Sequence, residues 1–187
     1  MKIIVAITAA SGAIYSRLVL EHLIRSSEVE RIALIMSDNA AAVVEYEGEQ
    51  IPSSEKIERM DNHSMFSSVA SGSAQWDAMI VVPSSMGTVG RVAAGISQTL
   101  IERAADVMLK ERRPLVMVVR ESPYSLIHLR NMTSLTEAGA IILPASPSFY
   151  FAPATIEELC LPVTLRALEF TGLEIAHREW GEEQKEE

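Results

Sequence analysis

The most constraining feature of this chain is a recurring pattern. An uninterrupted apolar run ends in a turn of small residues, and a segment of helical period follows. Ile3 to Thr8 is the first such run. A strand with one wet face alternates apolar and polar residues, whereas a continuous Val/Ile run marks a strand buried on both faces. Ala9-Ala10-Ser11-Gly12 then turns the chain, and Ala13 to Arg25 carries Leu18, Leu20, Leu23 and Ile24 at helical period.

The pattern repeats along the chain. Arg31 to Ser37 reads as a second strand, with an alanine-rich helix over Asn39 to Glu47 capped by Ser37 or Asp38. Asp77 to Pro83 is a third strand, running into the turn Ser84 to Thr88 and a helix. Gln98 to Lys110 is the clearest helix. Pro114 to Arg120 and Ala140 to Leu143 are further strands, with a helix over residues 124–138 between them. A loop over 144–153 carries Phe149, Tyr150 and Phe151, and the last helix, Thr155 to Thr171, stops at Gly172. Residues 48–75, with Pro52 and many serines, are weakly periodic and predict a long excursion.

Strands alternating with helices specify a parallel sheet with right-handed crossovers. Ligands of such sheets bind beyond the carboxyl ends of the strands. The informative residues are therefore Ser11-Gly12, Ser37, Ser84 to Thr88, and Arg120-Glu121. No repeat or linker divides residues 1–187, so one domain is expected. Glu182, Glu183, Glu186 and Glu187 are expected to form a frayed acidic tail.

Composition removes several function classes. The net charge of −9 argues against general nucleic-acid binding, which needs a basic footprint. The opening apolar stretch is interrupted by Ser11, Gly12 and Tyr15, and no run approaches the ~18 apolar residues of a membrane span. The single cysteine, Cys160, forbids an internal disulfide and fits a reducing cytoplasm. His22, His63, His128 and His177 show no metal-ligand spacing, and no Gly-x-Ser-x-Gly elbow is present.

Each remaining candidate has two readings. Thr8-Ala9-Ala10-Ser11-Gly12 is either a plain tight turn or a place where backbone N–H groups and a helix dipole meet a phosphate. It is neither a GxGxxG fingerprint nor a P-loop. Pro83-Ser84-Ser85-Met86-Gly87-Thr88 is a second such turn, and the two together suggest a phosphate clamp beside a flat ring. Arg103, Asp106 and Lys110 share a helical face: either a solvated face with an Asp106–Lys110 pair, or a cationic wall facing a phosphate. Arg120-Glu121, at a strand's carboxyl end, is either a rim salt bridge or part of a site.

Taken in order, these residues resemble the UbiX-type flavin prenyltransferase family, also known under the older label of aromatic acid decarboxylases. The resemblance runs along nearly the whole chain. Its strongest stretch is Leu100-Ile101-Glu102-Arg103-Ala104-Ala105-Asp106-Val107, with Leu109 to Pro114 and Arg120-Glu121-Ser122-Pro123 following. Ala70 to Ser73, Ile127-His128-Leu129, Asn131-Met132, Phe149-Tyr150 and Arg178-Glu179-Trp180-Gly181 extend it.

The resemblance implies a flavodoxin-like or Rossmann-like three-layer αβα sandwich, assembled as a dodecamer in the cytoplasm. It implies a metal-independent transferase that joins the dimethylallyl group of dimethylallyl monophosphate to N5 and then C6 of reduced FMN. Phosphate is released, and the product serves UbiD-type decarboxylases. By the same resemblance FMN would contact Ala9, Ala10, Ser11, Ser37, Ser85, Met86, Gly87, Thr88 and Arg120. The prenyl phosphate would meet Arg103, Lys110, Glu121, Tyr150 and Arg166, some lent by a neighbouring subunit. Glu47 matches an acidic residue near the flavin and joins Glu121, Lys110 and Arg103 as a catalytic candidate.

The chain departs from the family pattern at four places. Ala9 stands for Gly, Ser84 for Cys, Val119 for Pro and Arg130 for Glu. Two other functions stay open on sequence alone. One is an FMN-dependent cysteine decarboxylase using His63, and the other is a flavin-binding protein without turnover.

Overall fold

A computed structural model of the chain describes residues 1–175. The chain landmarks at Arg178 to Gly181, His177 and the glutamate tail lie outside the described residues. Six parallel strands form one sheet in the order β3-β2-β1-β4-β5-β6. They are β1 (Lys2–Ile7), β2 (Arg31–Met36), β3 (Ile57–Met60), β4 (Ala78–Ser84), β5 (Leu115–Val119) and β6 (Ile141–Pro144). The helices are α1 (Ala13–Arg25), α2 (Ala40–Tyr46), α3 (Met86–Ala93), α4 (Leu100–Lys110), α5 (Leu126–Glu137) and α6 (Ile156–Glu169).

The continuous apolar runs are buried on both faces because helices cover both. Ile3, Val5 and Ile7 of β1 pack with residues of α1, α2 and α6. Ile4 and Ala6, pointing the other way, pack with residues of α3, α4 and α5. Each fully buried aliphatic side chain contributes about 1.5–3 kcal/mol to folding, which makes these central strands the fixed frame of the molecule. Three layers result, as the alternation of elements predicts.

Three local expectations are corrected. Residues 48–75 are not wholly irregular: Ile57–Met60 pairs with β2 as an edge strand, and two short 3-10 turns follow. The strand has no legible pattern because its two central residues, Glu58 and Arg59, are both exposed. Helix α2 is capped at Asn39, not at Ser37 or Asp38, and Ser37 contributes only its carbonyl, which accepts the Ala40 N–H at 2.9 Å. Asp106 and Lys110 do not pair: Asp106 accepts Nη1 of Arg103 at 2.6 Å, and the ammonium of Lys110 bonds Glu111.

Register decides what meets at the carboxyl edge. Ile7 is level with Met36, and Ala6 with Val81. Just past the ladders, Ser37 N–H donates to Ile7 O (2.9 Å), Thr8 N–H to Pro83 O (3.2 Å) and Arg120 N–H to Ser84 O (3.3 Å). Ala9, Ser37, Ser85 and Arg120 therefore emerge along one edge. Between β1 and β4 the chain changes winding direction, the crevice where ligands of doubly wound sheets bind.

Candidate active site

The turn after β1 and the turn after β4 are joined through one side chain. The Thr8 hydroxyl donates to Pro83 O at 2.8 Å and accepts the Ser85 N–H at 2.8 Å. Thr8 is buried, so this link is shielded from water. The Ser85 hydroxyl then caps α3, accepting the Thr88 N–H at 3.3 Å. Such a cap satisfies one of the orphan donors at a helix start and leaves the others facing outward.

A cavity of about 230 Å³ opens where these turns meet the end of β2. Ala9, Ser37, Ser85 and Thr88 line it, so four of the nine residues predicted to contact flavin converge there. Of the other five, Met86 is buried, while Ser11, Gly87 and Arg120 are exposed along the same edge. The Ala10 N–H folds back onto Thr8 O at 2.9 Å. The hydroxyls of Ser37, Ser85, Thr88 and Thr99, a helix start and the cation of Arg91 suit a phosphate and its sugar-alcohol chain.

Glu47 lies elsewhere in the network. Its carboxylate accepts the Gly12 N–H at 3.0 and 3.1 Å and the Ala13 N–H at 2.7 Å. The amides that open α1 are thus engaged by a carboxylate of the chain itself. Gly12 has φ of 110°, a left-handed conformation that glycine adopts without strain.

The residues predicted for the prenyl phosphate do not line this cavity. Arg103 bonds Asp106 and donates Nε to Ala70 O at 3.1 Å. Lys110 is held by Glu111. Arg166 pairs with Glu169 at 2.7 Å and stacks 4.5 Å over Phe170. Glu121 accepts the Ser122 N–H at 2.9 Å, and Tyr150 is exposed in the loop after β6.

Several lining residues were not among those predicted for the site: Asp38, Asn39, Asn62, Arg91, Thr99 and Glu102. Asn62, from the 48–75 excursion, anchors the start of α4: its Oδ1 accepts the Ile101 N–H at 3.2 Å and its carbonyl the Leu100 N–H at 2.8 Å. Asp38 pairs with Nε2 of His63 at 2.8 Å. Glu102 is only 1% exposed, and its carboxylate bonds Nε of Arg91. It also accepts the N–H groups of Gln98 (2.9 Å) and Thr99 (3.0 Å). Burial alone would raise this carboxyl, but Arg91 and the two amides outweigh it and hold the group below its ordinary range. The Thr99-x-x-Glu102 spacing is a capping-box signal legible in the sequence, whereas nothing local announces Arg91.

Comparison with known proteins places this edge in context. Residues 1–161 match the family model described as Flavoprotein. Flavin prenyltransferase UbiX of Thermoplasma acidophilum is 42% identical over 178 residues, covering 92% of this chain and 96% of that protein. A dodecameric FMN-dependent UbiX-like decarboxylase from Escherichia coli O157:H7 superposes with a TM-score of 0.88 at 37% identity, covering 96% of this chain and 99% of the other. AnUbiX (PadA1), solved with FMN and dimethylallyl pyrophosphate, superposes with a TM-score of 0.85 at 40% identity, covering 96% and 98%. The matches run along nearly the whole chain, including the sheet, the turns after β1 and β4 and helix α4, and the chain belongs to the flavin prenyltransferase family of flavoproteins.

Proposed function

We propose that this chain transfers a dimethylallyl group from dimethylallyl monophosphate to N5 and C6 of reduced FMN, releasing phosphate. The observation that carries this reading is the convergence of Ala9, Ser37, Ser85 and Thr88 on one hydroxyl-lined cavity, in a chain of this family. FMN is a substrate here, and its N5 supplies the nucleophile. The chain therefore needs no serine or cysteine of its own. Its residues bind, orient and stabilise the leaving group. The cations of Arg103, Lys110 and Arg166 lower the energy of the departing phosphate dianion. Glu121 exchanges a proton with that phosphate, and Tyr150 donates a hydrogen bond to it.

The prenyl-phosphate residues stand apart from the flavin cavity within one chain, so a second copy completes the site. The exposed surface supports this. Leu126, Ile127 and Leu129 of α5, Phe149, Tyr150 and Phe151 of the following loop, and Ile156 of α6 are all exposed. Large apolar side chains left exposed in such number are a usual mark of an assembly surface. The dodecameric relative from Escherichia coli supports a dodecamer. On this reading residues 1–187 form one flavoprotein domain, and the prenylated flavin passes to a UbiD-type decarboxylase. The buried lone thiol of Cys160 is consistent with a cytoplasmic enzyme. Among the described residues no helix is long and apolar enough to cross a membrane.

The test is to incubate the protein anaerobically with FMN, a reductant and dimethylallyl monophosphate, then weigh the flavin and assay phosphate. A flavin heavier by one prenyl unit, with phosphate released, is the expected result. An unchanged flavin overturns the reading, and carbon dioxide released from a cysteine-ended peptide would favour the decarboxylase alternative.

A further inference from the structure

Among the described residues Arg91 is the one cation that lines the flavin cavity, and it belongs to neither of the turns after β1 and β4. It stands in the last turn of α3 and reaches back to Thr88 in the first turn. Its Nε bonds Glu102, and its Nη2 donates to the Thr88 hydroxyl at 3.4 Å. A Cβ placed on Gly87 would come 3.3 Å from Nη1, so the absence of a side chain at 87 leaves room for the guanidinium to lie across the first turn. The Arg91 side chain is 44% exposed, whereas the side chain of Glu102 that holds it is 1% exposed.

That asymmetry is informative. A surface ion pair fixes little, because both partners move and water screens them. Here Glu102 is immobilised by burial and by the N–H groups of Gln98 and Thr99. Arg91 is therefore aimed, with one edge of its planar fork held and the other turned to the cavity. Arginine presents five N–H donors in a fork that matches a phosphate, and two of these donors are engaged by Glu102 and Thr88. The negative groups nearby do not cancel this. Glu102 is already matched to Arg91, and Asp38 is turned to His63.

We propose that Arg91 binds the phosphate of the flavin mononucleotide and sets the preference for phosphorylated flavin, with Glu102 as its positioning residue. This rests on the reading that FMN occupies the cavity. The dimethylallyl phosphate is the other phosphate in the reaction, but its cations Arg103, Lys110 and Arg166 lie outside this cavity.

The test compares flavin-stripped full chains by fluorescence titration with FMN and with riboflavin, which lacks the phosphate. Arg91→Ala should weaken FMN binding by about 10- to 100-fold, as loss of a charge-assisted contact does, and leave riboflavin binding within about twofold. Arg91→Lys should recover part of the loss, because the charge remains and the fork does not. Glu102→Gln should weaken FMN in the same direction and also spare riboflavin, a selectivity that mere structural damage would not show. None of the three variants should change the apparent affinity for dimethylallyl monophosphate. Unchanged FMN binding in Arg91→Ala, or equal losses for FMN and riboflavin, overturns the assignment. If wild-type protein binds neither flavin, the functional reading itself fails, and that outcome is distinct from either of these.

Discussion

Both carboxylate oxygens of Glu47 accept the N–H of Gly12, at 3.0 and 3.1 Å, across 35 residues of chain. One of them also takes the Ala13 N–H at 2.7 Å. Glu47 thus closes the start of α1 from the far end of α2, and the helix dipole favours its negative charge there. Replacing it by alanine leaves two amide donors without this partner. Glu47→Ala should lose about 1–2 kcal/mol of stability, and Glu47→Gln less, by urea unfolding. Equal stability of all three proteins would show that this contact does not matter to folding.

The Glu102 carboxyl gives a pH signature. Its value in the folded protein lies below its ordinary 4.5. A depressed carboxyl contributes stability that is complete above the unfolded value and lost as pH falls through the folded one. Wild type should therefore exceed Glu102→Gln in stability by a constant margin at neutral pH. That margin should shrink steadily as pH drops below 4.5, measured as urea midpoints across the range. Comparing the two proteins cancels Glu111, which is also depressed, by Lys110. A margin that stays constant down to pH 3 would remove the Arg91–Glu102 pair as its source.

Lys110→Ala and Glu121→Gln should retain FMN but slow prenyl transfer by about 100-fold, the usual effect of removing one group that stabilises developing charge. Arg120→Ala should instead weaken FMN itself, read by fluorescence titration. Loss of FMN from the Lys110 or Glu121 variants would move those residues into the flavin subsite.

Ser84 is fully buried at the end of β4, and its hydroxyl has no hydrogen-bond partner among the described residues. An unpaired buried hydroxyl is unfavourable, so removing it should not harm the fold. Ser84→Ala and Ser84→Cys should be neutral or stabilising by up to about 1 kcal/mol in thermal or urea unfolding. A clear destabilisation would reveal a partner for the hydroxyl.

Much of the fold was written locally. The runs at Ile3, Arg31, Asp77 and Pro114 announce strands because burial on both faces demands unbroken apolar sequence. The helices after them announce themselves by period, and α1 begins and ends where its period does. The small turns after β1 and β4 point to the binding edge because only such residues admit a close ligand. Edge strand β3 was illegible, since its exposed Glu58 and Arg59 leave it without an apolar pattern.

What the sequence determined by itself was the set of elements, the parallel sheet and two of the turns that line the cavity. These depend on neighbours a few residues apart, where backbone preference and side-chain period act. Tertiary structure decided the rest: that Glu47 reaches Gly12, that Asn62 anchors α4, and that Glu102 aims Arg91. Those contacts form between residues carried by different elements, so no local pattern encodes them. They exist because sheet register and helix packing fix the distances between elements.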